Sequence, residues 1–275
     1  MDWPIPGGGR WQGTGHITAS TQGITLTGAG VQPNIGTFVP LMTGTAVEGA
    51  GLMLSIADNS AATRYMLHVG LGTGTPPENT GFIKAIHMAY PRANQAGQFF
   101  YFPVHIPRGS RVSLGLQSAT SGATLTVVGG VVGQGFGSPA PPSRVTTYGA
   151  AVNAASGTHI NPGGTAHTEV ITTITNSTTA PMSTILIAIG QRANTTMTTA
   201  RWLWRVLGGP SGSEVEIVPR FAIAANTTDD DIEPSVIGPI PIPPLPSGSR
   251  LQIGAQCSIN DATDRILEAV IYGID

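Results

Sequence analysis

Two segments of the chain, 139 residues apart, carry nearly the same turn and strand. Pro107–Gln117 reads PRGSRVSLGLQ and Pro246–Gln256 reads PSGSRLQIGAQ, with six of eleven positions identical. In each case a Pro-x-Gly-Ser turn leads into alternating apolar residues, the pattern of a strand with one buried face. Repetition at a fixed spacing indicates that the chain contains one structural unit twice.

Three further pairs of segments keep the same order in the two halves of the chain. Each segment is apolar or alternating and has the length of a strand. The pairs are Leu52–Ala57 with Thr184–Ile189, Arg64–Val69 with Arg201–Val206, and Leu125–Val132 with Ile266–Tyr272. The duplication therefore covers most of each half.

Glycine and proline, 37 and 22 of the 275 residues, interrupt these segments throughout the chain. Both residues are common in turns between strands, and the 40% of residues that are hydrophobic exclude a disordered chain. No segment sustains a 3.6-residue period long enough for a helix. The sequence predicts an all-β fold of two tandem, internally duplicated β-sandwich or jelly-roll domains.

A dense run of glycine and proline near the middle of the chain marks the predicted domain boundary. The predicted organisation is an N-terminal arm (1–12), a first domain (13–134), a linker (135–143) and a second domain (144–275). The segment from Trp3 to Trp11, with two prolines and three consecutive glycines, is too irregular for a strand. It is interpreted either as an interface arm, with Trp3 and Trp11 docking on a neighbour, or as a disordered start.

The chain has few charges, 10% of its residues, and a formal net charge of −2. Lys84 is the only lysine, and the 12 arginines are spread from Arg10 to Arg265 without a cluster that could neutralise a row of phosphates. We therefore expect no nucleic-acid partner and no attraction to an anionic membrane. Because no run of 18 apolar residues and no secretion signal is present, we expect no membrane insertion and synthesis in a cytoplasm.

Sequence patterns of catalytic and metal sites are missing. There is no Gly-x-Ser-x-Gly, and the six histidines form no pair spaced by two or four residues. The acidic run 229–233 could hold Ca²⁺, but it lacks the glycine-interrupted spacing of such a loop and is better explained as a solvated turn. We predict a non-enzymatic protein with no catalytic, cofactor-binding or metal-binding residues and no cofactor.

A few residues interrupt the strands with polar or aromatic groups. Trp202 and Trp204 lie two residues apart and would share one face of a strand. Such a pair is a candidate glycan platform, although tryptophan in a sandwich core is commoner. His68, His87 and His105 each interrupt an apolar strand, where we expect a paired or solvent-facing imidazole. Cys257, the only cysteine, is expected to be a small buried hydrophobe.

In these features the chain resembles the structural proteins of tailed-bacteriophage virions, especially capsid decoration, head-spike and tail-attachment proteins. The resemblance rests on the duplicated Pro-x-Gly-Ser-Arg strand, a low-charge composition rich in Gly, Thr and Ala, the single cysteine and lysine, and the missing secretion signal. It implies a β-sandwich protein of the virion, made in the host cytoplasm. Its partners would be capsid or tail subunits and further copies of itself.

The predicted function is that of a non-enzymatic virion structural protein. It would decorate or cement a phage capsid, or form part of a head or tail spike, through symmetric protein–protein contacts. The alternative is the receptor- or carbohydrate-binding head of a tail fibre, with Trp202 and Trp204 as its platform. These two functions are compatible, because a virion subunit can also bind host glycans.

Overall fold

The structure is a computed structural model, and it describes residues 2–5, 9–14, 17–18, 21–29, 34–73, 79–88, 98–135, 141–192, 199–225, 235–260 and 266–275. Within these residues the chain is nearly all β, and its helical content is one 3-10 turn, Val152–Ala154. No helix in the described ranges is long and apolar enough to cross a membrane. The predicted all-β fold of tandem β-sandwiches is confirmed.

The first half of the described chain, here called the first unit, contains twelve strands. They are β1 (Asp2–Ile5), β2 (Gly9–Thr14), β3 (Ile17–Thr18), β4 (Thr21–Gln22), β5 (Ile24–Thr27), β6 (Val39–Met42), β7 (Gly49–Asn59), β8 (Tyr65–Gly72), β9 (Asn79–Met88), β10 (Phe99–Phe102), β11 (Arg111–Ser118) and β12 (Thr124–Gly133). One sheet has the order β1-β2-β12-β7-β10, with β5 also paired to β12. The facing sheet has the order β6-β11-β8-β9, and β3 pairs with β4.

The second half, here called the second unit, contains nine strands in its described residues. They are β13 (Val145–Tyr148), β14 (Thr158–Ile160), β15 (Val170–Thr175), β16 (Met182–Gln191), β17 (Ala200–Gly209), β18 (Val215–Ala225), β19 (Ser235–Leu245), β20 (Arg250–Cys257) and β21 (Leu267–Ile274). One sheet has the order β13-β21-β16-β19, with β14 also paired to β21. The facing sheet has the order β15-β20-β17-β18.

The two units share one strand topology. The first unit has β5-β12-β7-β10 over β6-β11-β8-β9, and the second has β13/β14-β21-β16-β19 over β15-β20-β17-β18. If the main strands of each unit are counted from 1 to 8, both units read 1-8-3-6 over 2-7-4-5, the arrangement of an eight-stranded jelly roll. The four pairs of repeated sequence segments fall on equivalent strands, so the predicted internal duplication is confirmed.

The repeated Pro-x-Gly-Ser turn is held by the same hydrogen bonds in both units. The Thr45 hydroxyl donates to the Pro107 carbonyl at 2.8 Å and accepts from the Ser110 amide at 3.0 Å. In the second unit Thr178 donates to Pro246 at 3.1 Å and accepts from the Ser249 amide at 3.1 Å. The glycine of each turn has a positive φ, +81° and +86°, which explains why glycine stands there twice.

The central strands β21 and β16 of the second unit's sheet are buried on both faces. Ile187 and Ile271 pack in the core of the second unit, whereas the alternate residues Leu186 and Tyr272 pack in one apolar cluster with the core of the first unit. Every residue of β21 from Leu267 to Ile274 is buried. A strand buried on both faces needs apolar residues at nearly every position, which explains the apolar run Ile185–Ile189 in β16 and the apolar sequence of β21, in which Glu268 is the one charged residue.

The opening segment of the chain is not irregular, so that prediction is wrong. Asp2–Ile5 and Gly9–Thr14 are antiparallel strands, and the second of them pairs with β12. Pro4 is compatible with this pairing because it lies on the outermost strand of the sheet, where a missing backbone N–H is tolerated. The side chains of Trp3 and Trp11 lie outside the described residues, as do residues 136–140 of the predicted linker.

Candidate functional site

The most elaborate polar arrangement in the described residues is the joint between the two units, and it begins with a bulge in an edge strand. Strand β9 pairs with β8 through Leu67 opposite Ile86 and Val69 opposite Ile83. Lys84 and Ala85 therefore both lie opposite His68, and Ala85 has a φ of +53°. Such a bulge bends the strand and leaves backbone groups without ladder partners.

Side chains of the second unit bind those backbone groups. The Tyr272 hydroxyl donates to the Ala85 carbonyl at 2.9 Å and accepts from the His87 amide at 2.8 Å. The Thr147 hydroxyl donates to the Lys84 carbonyl at 2.6 Å. Burial raises the pKa of Tyr272, so its hydroxyl keeps the proton that the bond to Ala85 requires. The second unit thus completes the hydrogen bonding of an edge strand in the first.

Apolar packing surrounds these hydrogen bonds. The rings of Phe102 and Tyr272 meet edge to face, with centroids 5.4 Å apart and planes at 90°. Leu186, Val270 and Ile274 of the second unit join the same cluster, and each is fully buried. Because a closely packed apolar interface resists sliding, the contact fixes the two units in one relative position.

A fully buried carboxylate, Glu268, adds charge to the joint. Arg64 Nη1 lies 3.4 Å from Oε1, His159 Nε2 lies 3.2 Å from Oε1, and His87 Nε2 lies 3.0 Å from Oε2. The Gly157 amide also donates to Oε2, at 3.0 Å. Nitrogen-bearing groups from both units thus surround the carboxylate, which a buried charge requires. Glu268 therefore links the two units through contacts with residues of both.

His68 is buried in the first unit, next to a residue that contacts a loop of the second unit. Its Nδ1 accepts from the Ala85 amide at 3.4 Å, and neighbouring Gln117 donates to the carbonyl of Val152 in that loop. Burial is the main cause that lowers the pKa of His68 to about 4. A neutral imidazole therefore occupies this position at neutral pH.

The position equivalent to His68 in the second unit is half-buried and carries a different residue. Arg205 lies on β17, as His68 lies on β8, and binds Glu169 through two hydrogen bonds of 2.8 Å and 2.5 Å. The bond to Glu169 raises the pKa of Arg205. The buried position holds a neutral ring because a buried charge is costly, whereas the more exposed position holds a charged residue paired with a carboxylate.

The candidate glycan platform is not present as predicted. Trp202 and Trp204 do share one face of β17, but they are 1% and 0% exposed and pack in the core of the second unit. The Trp204 ring contacts Phe221 with centroids 6.3 Å apart. A sugar-stacking platform needs an exposed ring face, so the interpretation of these two residues as a platform is wrong and the core interpretation holds.

The remaining predicted residues are placed as follows. His105 Nε2 lies 2.5 Å from Glu48 Oε1, so this imidazole is paired as expected. His87 Nε2 lies 3.0 Å from Glu268 Oε2 without the geometry of a hydrogen bond. Hydrogen bonds from the Arg108 amide and then from His105 hold the pKa of Glu48 below its ordinary value. Cys257 is buried, as predicted. The acidic run 229–233 lies outside the described residues, and within the described ranges no group of three His, Cys, Asp or Glu side chains is arranged to hold a metal ion.

Sequence reasoning missed the residues that build the joint. Tyr272 and Glu268 both lie in the apolar segment that closes the second repeat. The available signal was a glutamate inside a strand that is otherwise apolar on both faces, because a buried carboxylate requires partners. Nothing in the sequence indicated that those partners would come from the first unit.

No protein-family model and no curated protein matches the sequence. Among solved structures, the chain is similar to the cowpea mosaic virus top component, with 7% identity and a TM-score of 0.37, over 92% of this chain and 88% of that one. It is also similar to PNGF-II, with 9% identity and a TM-score of 0.34, over 91% and 64% of the two chains. For infectious bursal disease virus, Gx strain, the identity is 14% and the TM-score 0.25, over 84% and 58%. The likeness is one of β architecture, and at these TM-scores it supports no transfer of function.

Proposed function

We propose that this protein is a non-enzymatic structural subunit of a virus particle. The observation that carries the proposal is the joint, in which the central strands β21 and β16 of the second jelly roll are buried on both faces and hold the two units as one block. A rigid block presents its outer surfaces at fixed angles, and repeated contacts between identical subunits require fixed angles. The low charge of the chain, 10% of residues, suits extensive subunit contacts because fewer charges must be desolvated.

Within this role we propose a decorating, cementing or spike subunit of a bacteriophage, with capsid or tail proteins as partners and the virion as its location. The duplicated Pro-x-Gly-Ser-Arg strand and the composition support this finer assignment. The alternative of a carbohydrate-binding fibre head loses its main support, because Trp202 and Trp204 are in the core.

The test is the protein composition of particles purified from the source of the sequence. Quantitative mass spectrometry should find this chain in a fixed ratio to the major shell protein, and antibody raised against the recombinant chain should label intact particles at regular positions. Washing with high salt should leave the ratio unchanged, since contacts with few charges are weakly screened. A chain that is absent from purified particles, or present in a variable trace amount, would contradict the proposal.

A further inference from the structure

The joint within the chain uses two surfaces, and each has an equivalent that the described residues leave open. The first unit contributes an edge, strand β9 with its bulge. The second unit contributes a face, the outer side of the sheet β13-β21-β16-β19. Because both units are jelly rolls of the same topology, the second unit also has such an edge and the first unit also has such a face.

The open edge is strand β18, and it repeats the bulge of β9. Phe221 pairs with Trp204 and Val218 pairs with Val206, so Pro219 and Arg220 both lie opposite Arg205, as Lys84 and Ala85 lie opposite His68. The next position, Ala222, pairs with Leu203 as His87 pairs with Met66. In the first unit these positions are covered by Tyr272 and Thr147, whereas Pro219, Arg220 and Ala222 are exposed.

The open face is the outer side of the first unit's sheet β10-β7-β12. Leu52, Leu54 and Ile56 of β7 point into the core, so Met53 and Ser55 point outward. Tyr101 lies across from Met53 and Phe99 lies across from Ser55. Leu186 and Ala188 of β16, the positions that match Met53 and Ser55, are fully buried, but here Met53 and Tyr101 are half-buried and Phe99 is 50% exposed. An exposed aromatic on an apolar sheet face is a feature of contact surfaces.

The charges of the two open surfaces are complementary in the register of the joint. In the joint, Arg64, just before β8, contacts Glu268 of β21. The residue equivalent to Arg64 in the second unit is Arg201, the second residue of β17, and it is exposed. On the open face, Thr126 stands between buried Leu125 and Val127 as Glu268 stands between Leu267 and Ala269.

Directly across from Thr126 lies the exposed carboxylate of Asp58. A copy of the joint between two chains would therefore bring Arg201 of one chain to Asp58 of the next. An acid would then face an arginine, as Glu268 faces Arg64 in the joint. The acid would lie on β7, one strand away from the position equivalent to Glu268.

We propose that a second copy of this chain docks its first-unit face, formed by Met53, Ser55, Phe99 and Tyr101 with Asp58 at its margin, on the β18 edge. The contact repeats between chains the joint that the two units make within one chain. It is heterologous, because the two partners use different surfaces, so it continues from chain to chain until it closes in a ring. The inference rests on the proposed function in one respect, namely that a particle subunit uses such contacts.

The test is the assembly state of the purified full chain, measured by mass photometry and sedimentation velocity. The wild-type chain should form a concentration-dependent oligomer larger than a dimer. Phe99→Glu on the face and Ala222→Glu on the edge should each give monomers, since each places a charge in the contact. Both positions are exposed in one chain, so circular dichroism and thermal unfolding should show that the variants remain folded. Ile171→Glu, 42% exposed on β15, is the matched control and should assemble normally.

Mixing the variants separates a head-to-tail contact from a symmetric one. Chains that carry Phe99→Glu still have an intact edge, and chains that carry Ala222→Glu still have an intact face, so an equimolar mixture should form a dimer and nothing larger. Arg201→Asp should weaken assembly about tenfold, and adding Asp58→Arg to the same chain should restore it. If either charged variant fails to fold, this charge exchange carries the test on its own.

Two results would overturn the inference. One is a wild-type chain that stays monomeric up to about 100 μM, above the range of a specific subunit contact. The other is an oligomer that survives both Phe99→Glu and Ala222→Glu. A chain that is monomeric in solution but found in fixed ratio on purified particles would overturn this contact and leave the proposed function intact. A chain that forms the ring but is absent from particles would support this contact and contradict the proposed function.

Discussion

The hydroxyl of Tyr272 lies between the carbonyl of Ala85 and the amide of His87, at 2.9 Å and 2.8 Å. One side chain of the second unit thereby takes the place of a neighbouring strand for the bulge of β9. An edge strand with unpaired backbone groups is ordinarily open to other chains. In this protein the chain's own second unit covers it.

Removing that hydroxyl should weaken the joint. Tyr272→Phe keeps the ring against Phe102 but leaves a buried amide and a buried carbonyl without partners, which should lower the free energy of unfolding by about 1–3 kcal/mol. Urea denaturation measures the change. Tyr148→Phe is the control, because the buried Tyr148 hydroxyl has no hydrogen-bond partner in the described residues and its loss should cost little. Equal losses in the two variants would contradict the role of Tyr272.

Neutralising the buried carboxylate should have a larger effect. Glu268→Gln preserves the shape of the side chain but leaves Arg64, His87 and His159 facing a neutral amide, and we expect a loss of about 3 kcal/mol of unfolding free energy. The exposed pair of Arg144 and Asp275 is the reference, since Asp275→Asn should cost less than about 1 kcal/mol. A Glu268→Gln protein as stable as the wild type would show that the cluster does not hold the units together.

Acid should destabilise the protein through His68. Its folded pKa, about 4, lies below the ordinary value of 6.5, so between these values the unfolded chain binds more protons than the folded one. Stability from this residue is complete above pH 6.5 and is lost as the pH falls towards 4. Between pH 7.5 and pH 5 the loss should be about 2 kcal/mol. His68→Gln should remove that part of the pH dependence, measured by urea denaturation at both pH values, and an unchanged slope would refute the assignment.

The repeated turns should respond equally to substitution. Gly109→Ala and Gly248→Ala meet no neighbouring atom, so their cost is the backbone strain of a positive φ, about 1–2 kcal/mol each. Gly164→Ala also meets no neighbouring atom and has no positive φ, so its unfolding free energy should stay near that of the wild type. If the unfolding free energies of Gly109→Ala and Gly248→Ala differ widely, the two turns do not contribute equally to stability and the prediction is wrong.

The duplication could be read from the sequence because the turn and its strand face the same physical demands in both units. Glycine is needed for the positive φ, and alternating apolar residues are needed for the strand that follows. The relative placement of the units could not be read. The sequence of β21 shows that both of its faces are apolar, but an apolar face does not specify what covers it.

Two local predictions failed for identifiable reasons. Asp2–Ile5 and Gly9–Thr14 contain one proline and two glycines. They are strands because β12 supplies a partner for Gly9–Thr14, which in turn pairs with Asp2–Ile5, and local propensity does not consider such partners. Trp202 and Trp204 share a face as the spacing indicates, but spacing cannot tell which face is turned to solvent. In both cases tertiary contacts decided the outcome.

We propose that this chain is a repeated structural subunit of a virus particle, built as one block of two jelly rolls. Cryo-electron microscopy of particles purified from the source of the sequence tests it most directly. We predict density for two adjacent jelly rolls at symmetry-related positions, with the density of Tyr272 meeting strand β9. A reconstruction in which every symmetry-related density is accounted for by other proteins would contradict the claim.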